Sequence, residues 1–179
     1  GMGFIEETGA AQYVRDVRIT TIYEGTTGIQ ANDLLGRKMG RDRGATMSVL
    51  LQEMTAELAT LKPTDDSARN VVRAATEAVA LLRDSTQSLL TALASSPDRA
   101  LAVAVPFLML TGFVMGGWLM AKSAVIAASK LSGSDGEFHA AKLRTTLFYA
   151  DQILPRSATL ARIVKDGGAS VTGTDAGLI

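Results

Sequence analysis

Glu24 is followed by Gly25 and then by Thr26, Thr27 and Gly28. A carboxylate can take a proton from a weakly acidic carbon only if it is held close, stripped of water and raised in pKa. Hydrogen bonds must also stand ready for the negative charge that develops on the substrate. Contact with a ligand that expels water makes a carboxylate a better base, and a glycine at position 25 permits the close backbone approach such contact requires. Taken alone, Glu24 reads first as a solvated or helix-capping carboxylate. Arg15, Asp16 and Arg18 read as an ion-pair cluster fixing the chain ahead of it.

The rest of the composition narrows the chemistry. The 179 residues contain no cysteine, which excludes disulfides, thiolate metal sites and cysteine nucleophiles. A single histidine, His139, has no carboxylate or second histidine at ligand spacing, so it reads as a surface residue and no metal site is expected. Lysine plus arginine equals aspartate plus glutamate at 18 each, leaving no field to attract nucleic acid or an acidic membrane. Met109, Met115 and Met120 read as core filling. Aromatic residues are only 5% of the chain, and the alanine, leucine, methionine and arginine content favours helices over sheet. The N-terminus has neither the basic nor the apolar region of a secretion signal. These features predict a cytoplasmic, all-α protein.

The elements that must position residues 24–28 follow from the hydrophobic pattern. Residues 1–40, rich in glycine and threonine, predict a turn-rich segment with short helices. Met47, Leu50, Leu51, Met54, Leu58 and Leu61 recur at steps of three and four and predict a helix ended by Pro63. Thr64, Asp65 and Asp66 supply acceptors and negative charge for the next helix start. Its face is Val72, Ala75, Val79, Leu82, Thr86, Leu89 and Leu93, a near-heptad repeat suited to an antiparallel neighbour. Ser96-Pro97 predicts another boundary.

Residues 100–121 carry no charge, which raises the question of a membrane span. Pro106, Gly112, Gly116 and Gly117, together with many alanines, favour instead a central helix buried on all sides, with Trp118 filling a gap. Ser134 and Glu137 have the form of a capping box opening a last helix to about Val164, kinked at Pro155. Residues 165–179 predict a flexible tail. The expected architecture is thus an antiparallel bundle of about four long helices, preceded by the turn-rich segment. Residues 1–40 and 41–164 form its two parts.

Gly3-Phe4-Ile5-Glu6-Glu7, Arg15-Asp16-Val17-Arg18-Ile19 and Ile22-Tyr23-Glu24-Gly25-Thr26-Thr27-Gly28-Ile29-Gln30 together resemble the end of the catalytic portion of acyl-CoA dehydrogenases. Residues from 41 onward resemble the extra C-terminal helical domain of larger members, methylmercaptopropionyl-CoA dehydrogenase-like enzymes among them. The resemblance implies Glu24 as the catalytic base, Gly25 on the substrate side, and Gly3, Thr26, Thr27 and Gly28 against the flavin. It implies FAD in the parent enzyme, an acyl-CoA substrate, an electron acceptor and a homo-oligomer. Gly28 stands where many relatives have glutamine, which leaves only a backbone contact there. The N-terminal and middle domains that hold most of the flavin in the family have no counterpart here. The chain is therefore read as a fragment, expected to be inactive and to bind no cofactor alone. The alternative is a free-standing helical interaction module that keeps a relic of the catalytic segment.

Overall fold

The computed structural model describes residues 1–22, 25–173 and 177. Among them there is no strand, and the fold is all-α as expected. Single turns of tight helix at Met2–Phe4 and Glu6–Thr8 lead into α1 (Ala10–Arg18) and a further turn at Ile19–Thr21. Helix α2 (Thr27–Asn32) continues through a widened π-type stretch, Asp33–Met39, into the short α3 (Gly40–Asp42). The bundle then comprises α4 (Ala45–Thr60), α5 (Asp66–Ser95), α6 (Pro97–Leu101), α7 (Ala104–Ala128), α8 (Gly136–Phe148), α9 (Arg156–Asp166) and α10 (Gly168–Thr172).

The core is built on α5 and α7, which pack on each other and on α8 and α9. Phe107, Leu110 and Val114 of α7 and Val71, Val79, Leu82 and Leu89 of α5 are almost fully buried. Each of the larger side chains contributes about 1.5–3 kcal/mol by leaving water. The predicted face of α4 is also inside: Met47, Leu51, Met54 and Leu58 are buried, with Leu50 and Leu61 at the margin. Buried hydroxyls turn back onto their own helices. Thr86 donates to the carbonyl of Leu82 at 2.8 Å and Thr111 to that of Phe107 at 2.9 Å. This removes the penalty of an unpaired buried group.

Local chemistry sets the boundaries. The side chain of Asp65 accepts from the amide of Ala68 at 2.7 Å and caps α5. Asp42 accepts from the amides of Gly44 (2.9 Å) and Thr46 (2.8 Å), while Arg43 (φ 53°) and Gly44 (φ 79°) take the left-handed conformation that turns the chain into α4. A side chain at 44 would also strike Leu90, its first carbon lying 2.5 Å from Leu90 Cδ1. Ala31, Leu35 and Met39 are buried in the same core as the bundle, so the run from α2 to α3 is anchored on it.

Three expectations are corrected. Helix α7 is not buried on all sides: Val105, Met109, Leu119 and Ile126 are exposed, so one face of an evenly apolar helix looks outward. Met109 and Met115 lie at that surface, and only Met120 packs against the core. The Ser134/Glu137 capping box does not form; Asp135 occupies the N-cap without a side-chain bond and α8 starts at Gly136. A Cβ at 136 would run into the carbonyl of Leu131, so the close return of the preceding turn fixes the helix start. Pro155 does interrupt the last helix, but a π-type turn at Tyr149–Ile153 precedes it, with the Leu154 amide donating to the Tyr149 carbonyl at 2.9 Å. Lys165 and Asp166 close α9, and α10 follows.

By length and composition α7 could cross a membrane. In the bundle its inner side packs on α5, α8 and α9. Gly116 and Gly117 permit the close approach on one flank, where added Cβ atoms would strike Tyr149 and Leu154.

Candidate functional site

The segment that carries chemistry runs along the N-terminal part of the chain. Tyr23 and Glu24, the proposed base, lie outside the described residues. What flanks them is defined. On the near side, Arg15 pairs with Glu6 at 3.4 Å and donates to the Gln12 side-chain oxygen at 2.8 Å, while the Gln12 amide nitrogen donates to Asp16 at 2.6 Å. Arg15 thus pairs with Glu6 and not with Asp16, since adjacent residues on a helix point to different sides.

On the far side, Gly25 is half-buried, and a Cβ there would lie 2.5 Å from Gln30 Nε2 and 3.1 Å from Ile29 Cγ2. The backbone therefore passes tightly over the first turn of α2. Thr26 is the N-cap of that helix, its hydroxyl accepting a long bond (3.4 Å) from the Ile29 amide. Thr27 is exposed and Gly28 is half-buried with open space where a Cβ would be. Gly25 to Gly28 are therefore contiguous at the start of one helix. Gly3 stands apart, exposed in the first helical turn with nothing near its α-carbon's free side.

The helix that carries this corner is held by polar contacts farther along. Asp33 pairs with Arg37 and, at 3.4 Å, with Lys38. The Arg37 hydrogen bond holds the Asp33 carboxyl below the ordinary carboxylate range, and the same contact raises Arg37. Asp42 is also lowered, first by its bonds to Thr46. Neither aspartate was singled out from the sequence, although the i,i+4 spacing of Asp33 and Arg37 was there to be read. His139 is half-buried, with its ring edge-to-face on Phe138. Among the described residues no three histidine or carboxylate side chains gather as a metal site would require.

A cavity of about 590 Å³ is lined by Leu34, Lys38, Met39, Arg41, Asp42, Thr46, Met47 and Leu50. It lies on the far end of the α2–α3 run from the Gly25–Gly28 corner. That corner is a surface edge, able to form one wall of a site but not to enclose a ligand.

Comparison with known proteins bears on this corner. Residues 50–175 match the family described as Acetyl-CoA dehydrogenase C-terminal like, and residues 1–39 match the Acyl-CoA dehydrogenase C-terminal domain. The chain belongs to the acyl-CoA dehydrogenase family.

It is 44% identical over 176 residues to 3-methylmercaptopropionyl-CoA dehydrogenase of Ruegeria pomeroyi, covering 97% of this chain and 30% of that protein. Broad-specificity linear acyl-CoA dehydrogenase FadE5 of Mycobacterium tuberculosis is 29% identical over 174 residues, 92% of this chain and 28% of its own length. A butyryl-CoA dehydrogenase of Syntrophomonas wolfei is 29% identical over 160 residues, 87% and 26% respectively. The chain thus corresponds to the C-terminal portion of acyl-CoA dehydrogenases and spans under a third of these relatives.

Proposed function

We propose that this chain is the C-terminal part of an FAD-dependent enzyme that oxidises an acyl-CoA to its trans-2-enoyl form, with Glu24 as the base. The observation that carries the reading is the match of residues 1–39 to the acyl-CoA dehydrogenase C-terminal domain, which encompasses Tyr23-Glu24-Gly25-Thr26. The Glu24 carboxylate takes the proton alpha to the thioester carbonyl. The electron pair of the broken alpha C–H bond becomes the carbon–carbon double bond as the beta hydrogen departs as hydride. Flavin, when bound, supplies the two-electron sink.

The chain's own contribution is positional. Gly25 would let the backbone beside the base press against a thin acyl chain. Thr26, two residues after the base, caps α2, and with Thr27 and Gly28 it would lie against the flavin nucleotide. Gly3 would face its pyrophosphate side; its exposed, uncrowded backbone is compatible with such a contact. These residues fit one edge of a flavin site. The remaining walls belong to the domains the relatives carry in addition. Residues 1–40 then form the end of the catalytic helical domain, 41–164 an appended bundle and 165–179 a tail. Acyl-CoA and an electron acceptor are the partners of the complete, cytoplasmic, oligomeric enzyme.

Replacing Glu24 by Gln in the complete enzyme tests the assignment. The flavin absorption spectrum should be unchanged and turnover should fall by at least the ~10²–10⁴ that a positioned base contributes. Normal activity in that variant removes Glu24 from the role. The 179-residue chain alone should purify without stoichiometric FAD, and a yellow, flavin-loaded preparation would overturn the view that this edge is insufficient.

A further inference from the structure

Gln30 is exposed, and among the described residues its carboxamide has no hydrogen-bond partner. Its place is nonetheless defined. With Thr26 as N-cap and Thr27 as the first residue of α2, Gln30 is the fourth helical residue and Gly25 the one just before the cap. Contact between side chains at those two positions fixes the angle at which a chain enters a helix. Glycine leaves the first of them empty, and Gln30 folds back to fill it. A Cβ at 25 would lie 2.5 Å from Gln30 Nε2 and 3.4 Å from Gln30 Cδ, with Ile29 Cγ2 beside them at 3.1 Å. What a side chain at 25 would strike is therefore the first turn of α2 itself.

The contact ties the neighbour of the base to the part of the segment that is anchored. Upstream, no side chain from Gly1 to Thr20 is buried. Downstream, Ala31 (1% exposed) and Leu35 (0%) sit in the bundle core, and the Gln30 amide donates to the Thr26 carbonyl at 3.0 Å. The support for Glu24 that lies within this chain thus comes from α2. Glycine has the widest backbone freedom of any residue. Next to a carboxylate that must reach one particular hydrogen, that freedom has to be taken away by a neighbour, and Gln30 lies in the position to do so.

We propose that Gln30 is a positioning residue for the reaction: its side chain, laid over Gly25, restrains the backbone that carries Glu24 and so aims the carboxylate. The role presupposes Glu24 as the base. It works through the length and bulk of the side chain and needs no hydrogen bond from the carboxamide. Misplacing a reacting group by about 1 Å costs on the order of 10²-fold in rate, which sets the upper end of the effect.

Gln30→Ala and Gln30→Met in the complete enzyme test this role. Gln30→Ala should keep its flavin spectrum and its KM for acyl-CoA while kcat falls by about 10- to 100-fold. The isotope effect with alpha-deuterated acyl-CoA should rise, because proton abstraction becomes the slow step. Methionine keeps the length of the side chain without the carboxamide, and should bring kcat back to within about threefold of native. In a Glu24→Gln background, Gln30→Ala should cost nothing further, as residues that act as one unit behave. In the 179-residue chain, a nuclear Overhauser effect should join the Gln30 side-chain amide protons to the α-protons of Gly25. Native kcat and a native isotope effect in Gln30→Ala overturn the proposal, and leave Glu24 in its role so long as Glu24→Gln is inactive. A fully active Glu24→Gln removes the base and this role together. A methionine variant as slow as the alanine one, a change confined to KM, or the absence of the Overhauser contact overturns it as well.

Discussion

Three glycines of α7 look alike in the sequence and should behave oppositely when replaced by alanine. Gly112 has nothing within 4 Å of an added Cβ. Gly112→Ala therefore gains the full helix preference of alanine, about 0.8–1 kcal/mol. At Gly116 the new methyl would overlap the Tyr149 hydroxyl and sit 2.8 Å from Tyr149 Cζ. The ring has to move, which breaks its 3.0 Å bond to the Phe113 carbonyl. Overpacking costs about 1–3 kcal/mol and the lost bond about 1, so after the propensity gain Gly116→Ala should be destabilised by about 1–3 kcal/mol. Gly117→Ala meets Leu154 Cδ1 at 2.8 Å, the end of a side chain that can shift, and should fall between the two. Urea unfolding followed by circular dichroism gives the ranking. The melting temperature should rise by about 2–4 °C for Gly112→Ala and drop for Gly116→Ala. If Gly116→Ala is as stable as Gly112→Ala, Tyr149 does not lie against α7 and the packing of the last helices described above is wrong.

Removal of the α5 cap by Asp65→Ala should cost about 1 kcal/mol, seen as a lower urea midpoint at unchanged slope, since one amide loses its acceptor. The acid limb of stability should report Asp33 and Asp42, whose folded-state pKa values are below the ordinary 3.8. A carboxyl with a depressed folded value stabilises the fold fully above its unfolded pKa and ceases to do so as pH falls through the folded value. The urea midpoint should accordingly hold above about pH 5 and decline below about pH 4. Asp42→Asn should flatten that decline, whereas an identical acid limb in the variant would show that Asp42 is not bonded to Gly44 and Thr46.

Much of the bundle was legible because amphipathic periodicity reports burial directly. The spacing of Met47, Leu51, Met54 and Leu58 and the seam from Ala75 to Leu89 marked α4 and α5 and their inner faces. Helix α7 was legible as an element but not as a surface. A segment apolar all round has no periodicity to say which side faces out, and only the positions of α5, α8 and α9 decide it. The capping box failed because Ser134 and Glu137 satisfy a local rule that the backbone approach of Leu131 to Gly136 overrides. The π-type stretches at Asp33–Met39 and Tyr149–Ile153 carry no residue signature beyond Pro155. At the Gly25–Gly28 corner, the residue types and their order pointed to a base beside a glycine. Sequence alone did not show that Thr26 is committed to capping α2.

From Gly1 to Thr20 no side chain is buried, and Tyr13, Val14 and Val17 of α1 lie open to solvent. A nine-residue helix is too short to persist without packing. Amide hydrogens along this stretch will therefore exchange near their unprotected rates, while those around Phe107 and Leu82 wait for the whole bundle to open. A melting curve of this chain reads the bundle and is blind to the approach to Glu24. Exposed Phe4, Tyr13 and Val17 are where a covering surface would fix the geometry of that approach.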